Sequence, residues 1–221
     1  MNINIISRVV YNDIKIWKNQ LNTFGSVILR GLKPDEKSMF LLSDILERKI
    51  FKTDYGDIWD TSGQIGNATN DTAYSNIYLA PHTDLNYLPK TPKYQIFCCQ
   101  KKAKEGGNTI LVDGHMVYNI YKKNYSKYYK KLEEENYYFR CSEGKYEAKH
   151  KIYDNGIIHH NDSDMVPINN PEYKLWNGLI NTYQTNFPLY DTETLIVDNH
   201  RILHGRKHFF GDRNMVGCYL E

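Results

Sequence analysis

The sequence predicts an α+β protein that is mainly β-sheet, folded as a sandwich or barrel with flanking helices. From Ala73 onward, short strand-like runs follow one another with turn residues between them, which is typical of sandwiches and barrels. Amphipathic segments precede and interrupt these runs, and such segments are expected to cover one sheet. Because 221 residues are within the size of one domain, we expect residues 1–221 to form a single domain.

Hydrophobic periodicity gives the order of the elements. Helices are predicted at Asp13–Asn22, Pro34–Lys49, His115–Glu134 and Pro171–Gln184. Strands are predicted at Ser26–Arg30, Ser75–Leu79, Tyr94–Gln100, Thr109–Val112, Tyr137–Cys141, Gly156–His159, Thr194–Asp198, Ile202–His204 and Asn214–Leu220. The segment Lys52–Asp71 is rich in Gly, Asn, Thr and Ser, which predicts a loop.

Composition argues against several classes of partner. Basic and acidic residues nearly balance, 28 against 26, and the net charge of +2 does not indicate binding to nucleic acid or to an anionic membrane. The apolar runs are too short to span a bilayer, and we find no signal peptide. The adjacent Cys98 and Cys99 do not suggest a disulfide framework. We therefore expect a cytoplasmic protein with free thiols that acts on a small molecule.

His82-Thr83-Asp84 and His204 are candidate metal ligands. In an extended segment, side chains two residues apart point to the same side, so His82 and Asp84 can reach one ion. Two histidines and a carboxylate on one face of a metal leave the opposite positions open, as in non-haem Fe(II) oxygenases. Zinc can use the same ligands. The His-x-Asp spacing alone is also typical of a solvated loop.

Arg213 is a candidate anion-binding residue. It lies nine residues after His204 and precedes a buried-looking run that includes Met215, Val216 and Cys218. In a jelly-roll, successive antiparallel strands would bring Arg213 beside the metal. Its guanidinium group suits the distal carboxylate of a dicarboxylate ligand, although an isolated arginine is more often a solvated surface residue.

Four stretches, taken in order, resemble the taurine-dioxygenase-like superfamily, and most closely the branch that contains γ-butyrobetaine dioxygenase and trimethyllysine dioxygenase. These stretches are His82–Asp84, Gly106–Gly114, Asp198–Arg206 and Gly211–Leu220. The similarity extends from about Phe24 to the last residue and is weak between Cys141 and Tyr190.

The resemblance implies a double-stranded β-helix, or jelly-roll, that binds Fe(II), 2-oxoglutarate as co-substrate and O₂. The implied iron ligands and catalytic residues are His82, Asp84 and His204. The residues implied to bind 2-oxoglutarate are Arg213, assisted by Thr109, with Arg206 as the alternative anchor. Because related halogenases lack the carboxylate ligand, Asp84 points to hydroxylation.

The same branch surrounds a trimethylammonium group with aromatic rings. Such a cation donates no hydrogen bonds, so ring faces must recognise it. The residues that fall on the implied cage positions are Tyr55, Trp59, Tyr74 and Tyr219. The chain has 19 tyrosines, and coding bias in an AT-rich genome explains any single match. Four matches together favour a quaternary-ammonium substrate.

Asp71 is the residue that favours trimethyllysine over γ-butyrobetaine. The segment Asn70–Tyr74 resembles the trimethyllysine enzymes, and a carboxylate there would attract an α-ammonium group and repel a lone carboxylate. A turn cap is the alternative role for Asp71. Asn161 stands where relatives contact the polar end of the substrate. The resemblance thus implies trimethyllysine hydroxylation, a step of carnitine biosynthesis.

Other functions remain open at this stage. Within the superfamily, the alternatives are hydroxylation of γ-butyrobetaine or of another small amine or sulfonate. A non-enzymatic metal-binding jelly-roll would not need Arg213 and Thr109 near the metal. A zinc hydrolase with the same ligands would need a general base, for which we find no motif.

Overall fold

The computed structural model of this chain describes residues 6–54, 56–61, 75–165 and 170–221. The helices are α1 (Ile14–Phe24), α2 (Glu36–Leu46), α3 (Gly114–Asn124), α4 (Tyr129–Glu134) and α5 (Pro171–Thr182). The strands are β1 (Arg8–Val10), β2 (Ser26–Arg30), β3 (Trp59–Asp60), β4 (Leu79–His82), β5 (Tyr94–Lys101), β6 (Glu105–Gly106), β7 (Thr109–Asp113), β8 (Tyr137–Arg140), β9 (Glu147–His150), β10 (Tyr153–Asp154), β11 (Ile157–Ile158), β12 (Thr185–Phe187), β13 (Thr194–Asp198), β14 (Ile202–Arg206), β15 (Phe209–Phe210) and β16 (Asn214–Leu220).

Two sheets form the body of the protein. The larger has the strand order β1-β2-β13-β5-β16-β3, and the smaller has the order β12-β7-β14-β4. Apart from the parallel pair β1 and β2, the neighbouring strands in these sheets are antiparallel. Apart from β1 and β2, neighbours in each sheet are distant in sequence, which is typical of a jelly-roll.

Alternation along the strands divides the apolar residues between layers. In β13, Leu195 and Val197 pack in the core between the sheets, whereas Ile196 packs with α1 and α2. In β14, Ile202 belongs to the core between the sheets, whereas Leu203 packs with α3 and α5. The order of layers is therefore α1 and α2, the larger sheet, the smaller sheet, then α3 and α5.

Local sequence accounts for the helix starts. The side chain of Asp35 accepts a hydrogen bond from Ser38 N at the start of α2, and Asn170 caps α5 in the same way. Pro171 occupies the first turn of α5, where its missing N–H costs nothing. Trp176 of α5 is fully buried, as is Trp17 of α1, and burying one large apolar side chain contributes about 1.5–3 kcal/mol.

The jelly-roll fold with flanking helices is confirmed, but several predicted elements differ from the structure. Helices cover the outer faces of both sheets rather than of one. The helix predicted over 115–134 is two helices, α3 and α4. The strand predicted at Ser75–Leu79 instead occupies Leu79–His82, where it pairs with β14. The predicted loop contains β3, which pairs with β16 through Trp59 and Asp60. Among the described residues, no helix is long and apolar enough to cross a membrane.

Candidate metal and co-substrate site

A cavity of about 310 Å³ opens between the two sheets. On β5, β7, β14 and β16 the side chains that line it occupy inward-facing positions, whereas neighbours such as Ile96, Leu203 and Val216 belong to the outer cores. These inward-facing residues are Gln95 and Phe97 of β5, Thr109 of β7, His204 and Arg206 of β14, and Met215 and Tyr219 of β16. Segments outside the sheets complete the wall.

The three predicted metal ligands lie together on this cavity. His82 and His204 are direct partners in the β4–β14 register, and their ring centroids are 4.5 Å apart. Asp84 lies between them, with Oδ1 3.1 Å from Nε2 of His82 and Oδ2 3.3 Å from Nε2 of His204. One donor atom of each residue lies within 4.8 Å of the other two, and no other such cluster of three occurs in the described part of the chain.

Neighbouring groups orient these ligands. Nδ1 of His82 contacts the carbonyl oxygen of Ala80 at 2.8 Å, so it carries the proton and leaves Nε2 free to bind a metal. The hydroxyl of Tyr219 donates to Oδ2 of Asp84 at 3.1 Å. Gly205 lies where β14 bulges against β4, and a Cβ there would overlap the backbone of Leu79 and Ala80. The glycine therefore permits the strand contact that brings the two histidines together.

The charges of the ligand cluster suit a cation. Burial alone would raise the pKa of Asp84, but His204 and His82 hold it far below its usual range. Burial alone would lower the pKa of His82, but its hydrogen bond with Asp84 raises it. Burial lowers the pKa of His204. The Asp84 carboxylate is thus held ionised beside Nε2 of His82 and Nε2 of His204. A divalent metal could replace the proton that this carboxylate shares with the imidazoles.

The backbone of Asp84 is held from the other side by Asn199. The side-chain oxygen of Asn199 accepts a hydrogen bond from Asp84 N at 2.8 Å. The side-chain amide of Asn199 donates to the carbonyl oxygen of Asp84 at 3.3 Å and to that of Pro92 at 3.1 Å. Leu85, the next residue, has a φ of 61°, a conformation that is strained for a leucine. Asn199 therefore helps to hold a tight turn that aims the carboxylate at the histidines.

Two arginines lie beside each other on the same cavity. Arg206 donates to the carbonyl oxygens of Ser75 at 2.6 Å and Ile77 at 3.3 Å. Burial and the charge of Arg213 together lower the pKa of Arg206 to about 9. Burial also lowers the pKa of Arg213, which forms no hydrogen bond or ion pair with the described residues. Two neighbouring guanidinium groups, one of them unpaired, are suited to bind a carboxylate.

The turn before β7 shapes this anion site. Gly106 and Gly107 both have left-handed φ values, +72° and +68°, which glycine adopts without strain. A Cβ on Gly107 would lie 3.7 Å from Cδ of Arg213, so the turn packs against that arginine. Thr109 then pairs with Arg206 across the β7–β14 ladder. The three residues predicted to bind 2-oxoglutarate thus share one wall of the cavity.

Aromatic rings form another part of the wall. Trp59, Tyr87, Phe97 and Tyr219 all line the cavity. Trp59 packs edge-on against Phe97 with ring centroids 5.8 Å apart, and Phe97 lies 5.1 Å from the ring of His204. A Cβ on Gly217 would overlap the Trp59 ring, so this glycine lets the indole lie against β16.

Among the other predicted substrate-binding residues, Asn161 lies on the cavity wall. Tyr55, Asp71 and Tyr74 lie outside the described residues. Our sequence reasoning gave no role to Asn199, Tyr87 or Asp164. Asn199 stands inside the Asp198–Arg206 stretch and could have been found there, whereas nothing in the local sequence singles out the other two.

The fold and site together define a jelly-roll with a largely buried His, Asp, His cluster beside an arginine pair. The His, Asp, His donor set with open positions fits Fe(II), and the adjacent arginines fit a dicarboxylate co-substrate. The chain belongs to the taurine catabolism dioxygenase TauD, TfdA family, which it matches over residues 12–173.

Comparisons with individual proteins agree with this family. The chain is 26% identical to bovine (Bos taurus) mitochondrial trimethyllysine dioxygenase, over 92% of the chain and 54% of that protein. It is 28% identical to human (Homo sapiens) γ-butyrobetaine dioxygenase, over 93% of the chain and 59% of that protein. The chain therefore spans little more than half the length of these curated relatives.

A solved structure shows the same fold. The crystal structure of a taurine dioxygenase from Burkholderia xenovorans superposes with a TM-score of 0.70 at 13% identity, covering 100% of this chain and 85% of that one.

Proposed function

We propose that this protein is an Fe(II)- and 2-oxoglutarate-dependent dioxygenase that hydroxylates a small quaternary-ammonium compound, with trimethyllysine as the substrate. The observation that carries the reaction class is the cluster of His82, Asp84 and His204 beside the arginine pair on one cavity. The similarity to trimethyllysine and γ-butyrobetaine dioxygenases supports the substrate class.

His82, Asp84 and His204 would hold Fe(II), and Arg213 would bind the distal carboxylate of 2-oxoglutarate with Thr109 and Arg206 beside it. Bound Fe(II) and 2-oxoglutarate would supply, together with O₂, the oxidation that converts a substrate C–H into C–OH as 2-oxoglutarate becomes succinate and CO₂. The protein contributes orientation and a dry pocket. Tyr219 and Asn199 keep the Asp84 carboxylate aimed at the metal position.

The aromatic wall supports a quaternary-ammonium substrate. A trimethylammonium group has no N–H to donate, so it gains little from polar partners and is attracted to ring faces by about 0.5–2 kcal/mol per contact. Trp59 and Tyr219 line the cavity as the cage proposal requires. Tyr55 and Tyr74 complete the proposed cage, and Asp71 and Asn161 are the proposed partners of the polar end of the substrate.

A substrate panel tests the proposal. The chain is purified without oxygen, loaded with Fe(II) and 2-oxoglutarate, and offered trimethyllysine, lysine, γ-butyrobetaine or taurine, with succinate release as the readout. Trimethyllysine should stimulate succinate release most. Lysine should be poorer because its compact, strongly hydrated ammonium must lose water to enter an aromatic pocket.

Substitution of Trp59 checks the cage separately from the iron site. Trp59→Ala should lose most of the preference for trimethyllysine over lysine and keep the slow succinate release that occurs without substrate. Tyr138→Ala is the matched control, because this tyrosine is 42% exposed and lies on β8 outside the cavity wall. Equal turnover of lysine and trimethyllysine by the unmodified protein would refute the cage. Absence of succinate release under every condition would refute the reaction class.

A further inference from the structure

Thr83 stands between two of the proposed metal ligands, His82 and Asp84, but its side chain does not line the cavity. It is only 1% exposed and is hydrogen-bonded instead to the segment Ile158–His160, at the end of β11. The two ligands therefore share one short segment whose middle side chain is anchored to a distant part of the chain.

The hydroxyl of Thr83 makes every hydrogen bond that a hydroxyl can make. Its oxygen accepts from His160 N at 3.1 Å and from Nδ2 of Asn86 at 3.1 Å. Its proton is donated to the nearest acceptor, the carbonyl oxygen of Ile158, at 3.1 Å. A hydroxyl has one donor and two acceptor positions, so all of them are used. A valine of the same shape would fill the space and lose all three hydrogen bonds.

The backbone of Thr83 is also held on both sides. Thr83 N donates to the carbonyl oxygen of His160 at 2.7 Å, and the carbonyl oxygen of Thr83 accepts from Nδ2 of Asn86 at 2.7 Å. The amide of Asn86 is itself oriented, because Nδ1 of His159 lies 3.0 Å from its Oδ1. These bonds fix the two planar peptide groups that join Thr83 to His82 and to Asp84.

His160 is held in turn by α5. Nε1 of Trp176 donates to Nδ1 of His160 at 3.3 Å, and the hydroxyl of Tyr173 lies 3.2 Å from the same nitrogen. Because an indole N–H can only donate, Nδ1 of His160 is the acceptor. All three side chains are buried. The segment that holds Thr83 is thus anchored to the helical layer outside the smaller sheet.

Metal binding should depend on this fixation. Nε2 of His82 and Oδ1 of Asp84 lie 3.1 Å apart, and this approach requires both peptide groups of Thr83 to keep their orientation. If the segment were free to rotate, binding a metal would cost conformational entropy. Replacing groups that orient metal ligands typically lowers metal affinity by about 10- to 100-fold.

We propose that Thr83 is a positioning residue for the metal site. Its hydrogen bonds to Asn86 and to the segment Ile158–His160 set the separation of the His82 and Asp84 side chains. The assignment rests on the proposed oxygenase function, in which His82 and Asp84 hold the metal. It predicts that a hydroxyl group outside the cavity wall controls the metal affinity of the site.

Thr83→Val and Thr83→Ser separate the hydroxyl from the shape of the side chain, because valine keeps the shape and serine keeps the hydroxyl. Co(II) is titrated into each metal-free protein without oxygen, and its visible absorption reports both affinity and coordination geometry. Thr83→Val should raise the dissociation constant of Co(II) by about tenfold or more and change the spectrum of bound Co(II). Thr83→Ser should keep the affinity and the spectrum of the unmodified protein.

Thr194→Val is the matched control for a general loss of stability. Thr194 is a fully buried strand threonine whose hydroxyl is hydrogen-bonded to Sγ of Cys98, and neither residue lines the cavity. Thermal unfolding of the metal-free variants measures the stability that each substitution costs. Thr194→Val should lose stability and keep its Co(II) affinity. Thr83→Val should lose Co(II) affinity at temperatures well below its unfolding transition.

Asn86→Ala is a second test if Thr83→Val does not fold. It removes both donations from Asn86 to Thr83 and leaves the hydrogen bonds between Thr83 and the segment Ile158–His160 in place. This variant should also weaken Co(II) binding and change the spectrum of bound Co(II). If neither variant folds, these hydrogen bonds serve the fold itself, and the assignment is overturned.

Two other results would overturn the assignment while the metal site stands. One is an unchanged Co(II) affinity in the folded Thr83→Val or Asn86→Ala variant. The other is a loss of affinity in Thr83→Ser or Thr194→Val as large as that in Thr83→Val. If the unmodified protein does not bind Co(II), or if Asp84→Ala binds it equally well, the proposed metal site is wrong, and the role of Thr83 is wrong with it.

Discussion

Replacement of Arg213 by methionine should weaken 2-oxoglutarate binding without weakening the fold. Arg213 forms no hydrogen bond or ion pair with the described residues, and its guanidinium lies 5.8 Å from the centroid of the Phe209 ring. Burial lowers its pKa, so its charge is unfavourable in the protein before a ligand binds. Its neighbour Arg206 adds repulsion, which lowers the pKa of Arg206 in addition to the larger effect of burial. Arg213→Met removes both the buried charge and its repulsion with Arg206, and it keeps much of the side-chain volume.

The size of the effect follows from the contacts that a carboxylate would make. A hydrogen bond to a charged group contributes about 1.5–3 kcal/mol. Because about 1.4 kcal/mol corresponds to a tenfold change, the dissociation constant of 2-oxoglutarate should rise by about tenfold to a hundredfold. The midpoint of thermal unfolding of the metal-free protein should stay the same or rise.

Calorimetric titration of 2-oxoglutarate into the Mn(II)-loaded protein without oxygen gives the affinity, and thermal unfolding of the metal-free protein gives the stability. Arg206→Met is the contrasting variant. Arg206 donates to the carbonyls of Ser75 and Ile77, so its loss should cost about 1–3 kcal/mol of stability through unpaired backbone groups. An unchanged affinity for 2-oxoglutarate in Arg213→Met would mean that another residue binds its distal carboxylate. A loss of stability as large as that of Arg206→Met would refute the view of Arg213 as an unpaired cation.

Two further predictions concern the metal and the pH dependence of stability. Asp84→Ala should abolish turnover and metal binding while circular dichroism stays that of a folded protein, and full activity would contradict the ligand assignment. Burial and the neighbouring His150 lower the pKa of His159 to about 3. Between about pH 3 and 6.5 the unfolded chain binds a proton that folded His159 does not, so stability should fall as the pH falls, by up to about 1.4 kcal/mol per unit. His159→Gln should reduce this slope in urea unfolding, and an identical slope would show that other groups dominate.

The sequence by itself indicated the candidate metal ligands and the strand that carries His204. His82 and Asp84 are two residues apart in one segment, and His204 lies in a short apolar strand, so local spacing and hydrophobic pattern are sufficient to propose them. Local sequence was also sufficient to predict the turn at Gly106 and Gly107, because glycine is favoured where the backbone adopts a left-handed conformation. The same local rules misplaced the strand before His82 by several residues, because β-strand ends are decided by pairing with a distant partner, here β14.

Tertiary structure alone decided which distant residues serve the site. Asn199 lies 115 positions from Asp84 and holds its backbone, and Tyr219, predicted as a cage residue, donates to the Asp84 carboxylate from 135 positions away. Asp164 faces the cavity from a turn whose sequence carries no recognisable motif. Such contacts depend on how sheets and turns pack, and an Asn, Tyr or Asp has the same local signature whether it faces solvent or a buried ligand. The sequence therefore indicates the metal chemistry, whereas the selection of the substrate depends on side chains that only the folded chain brings together.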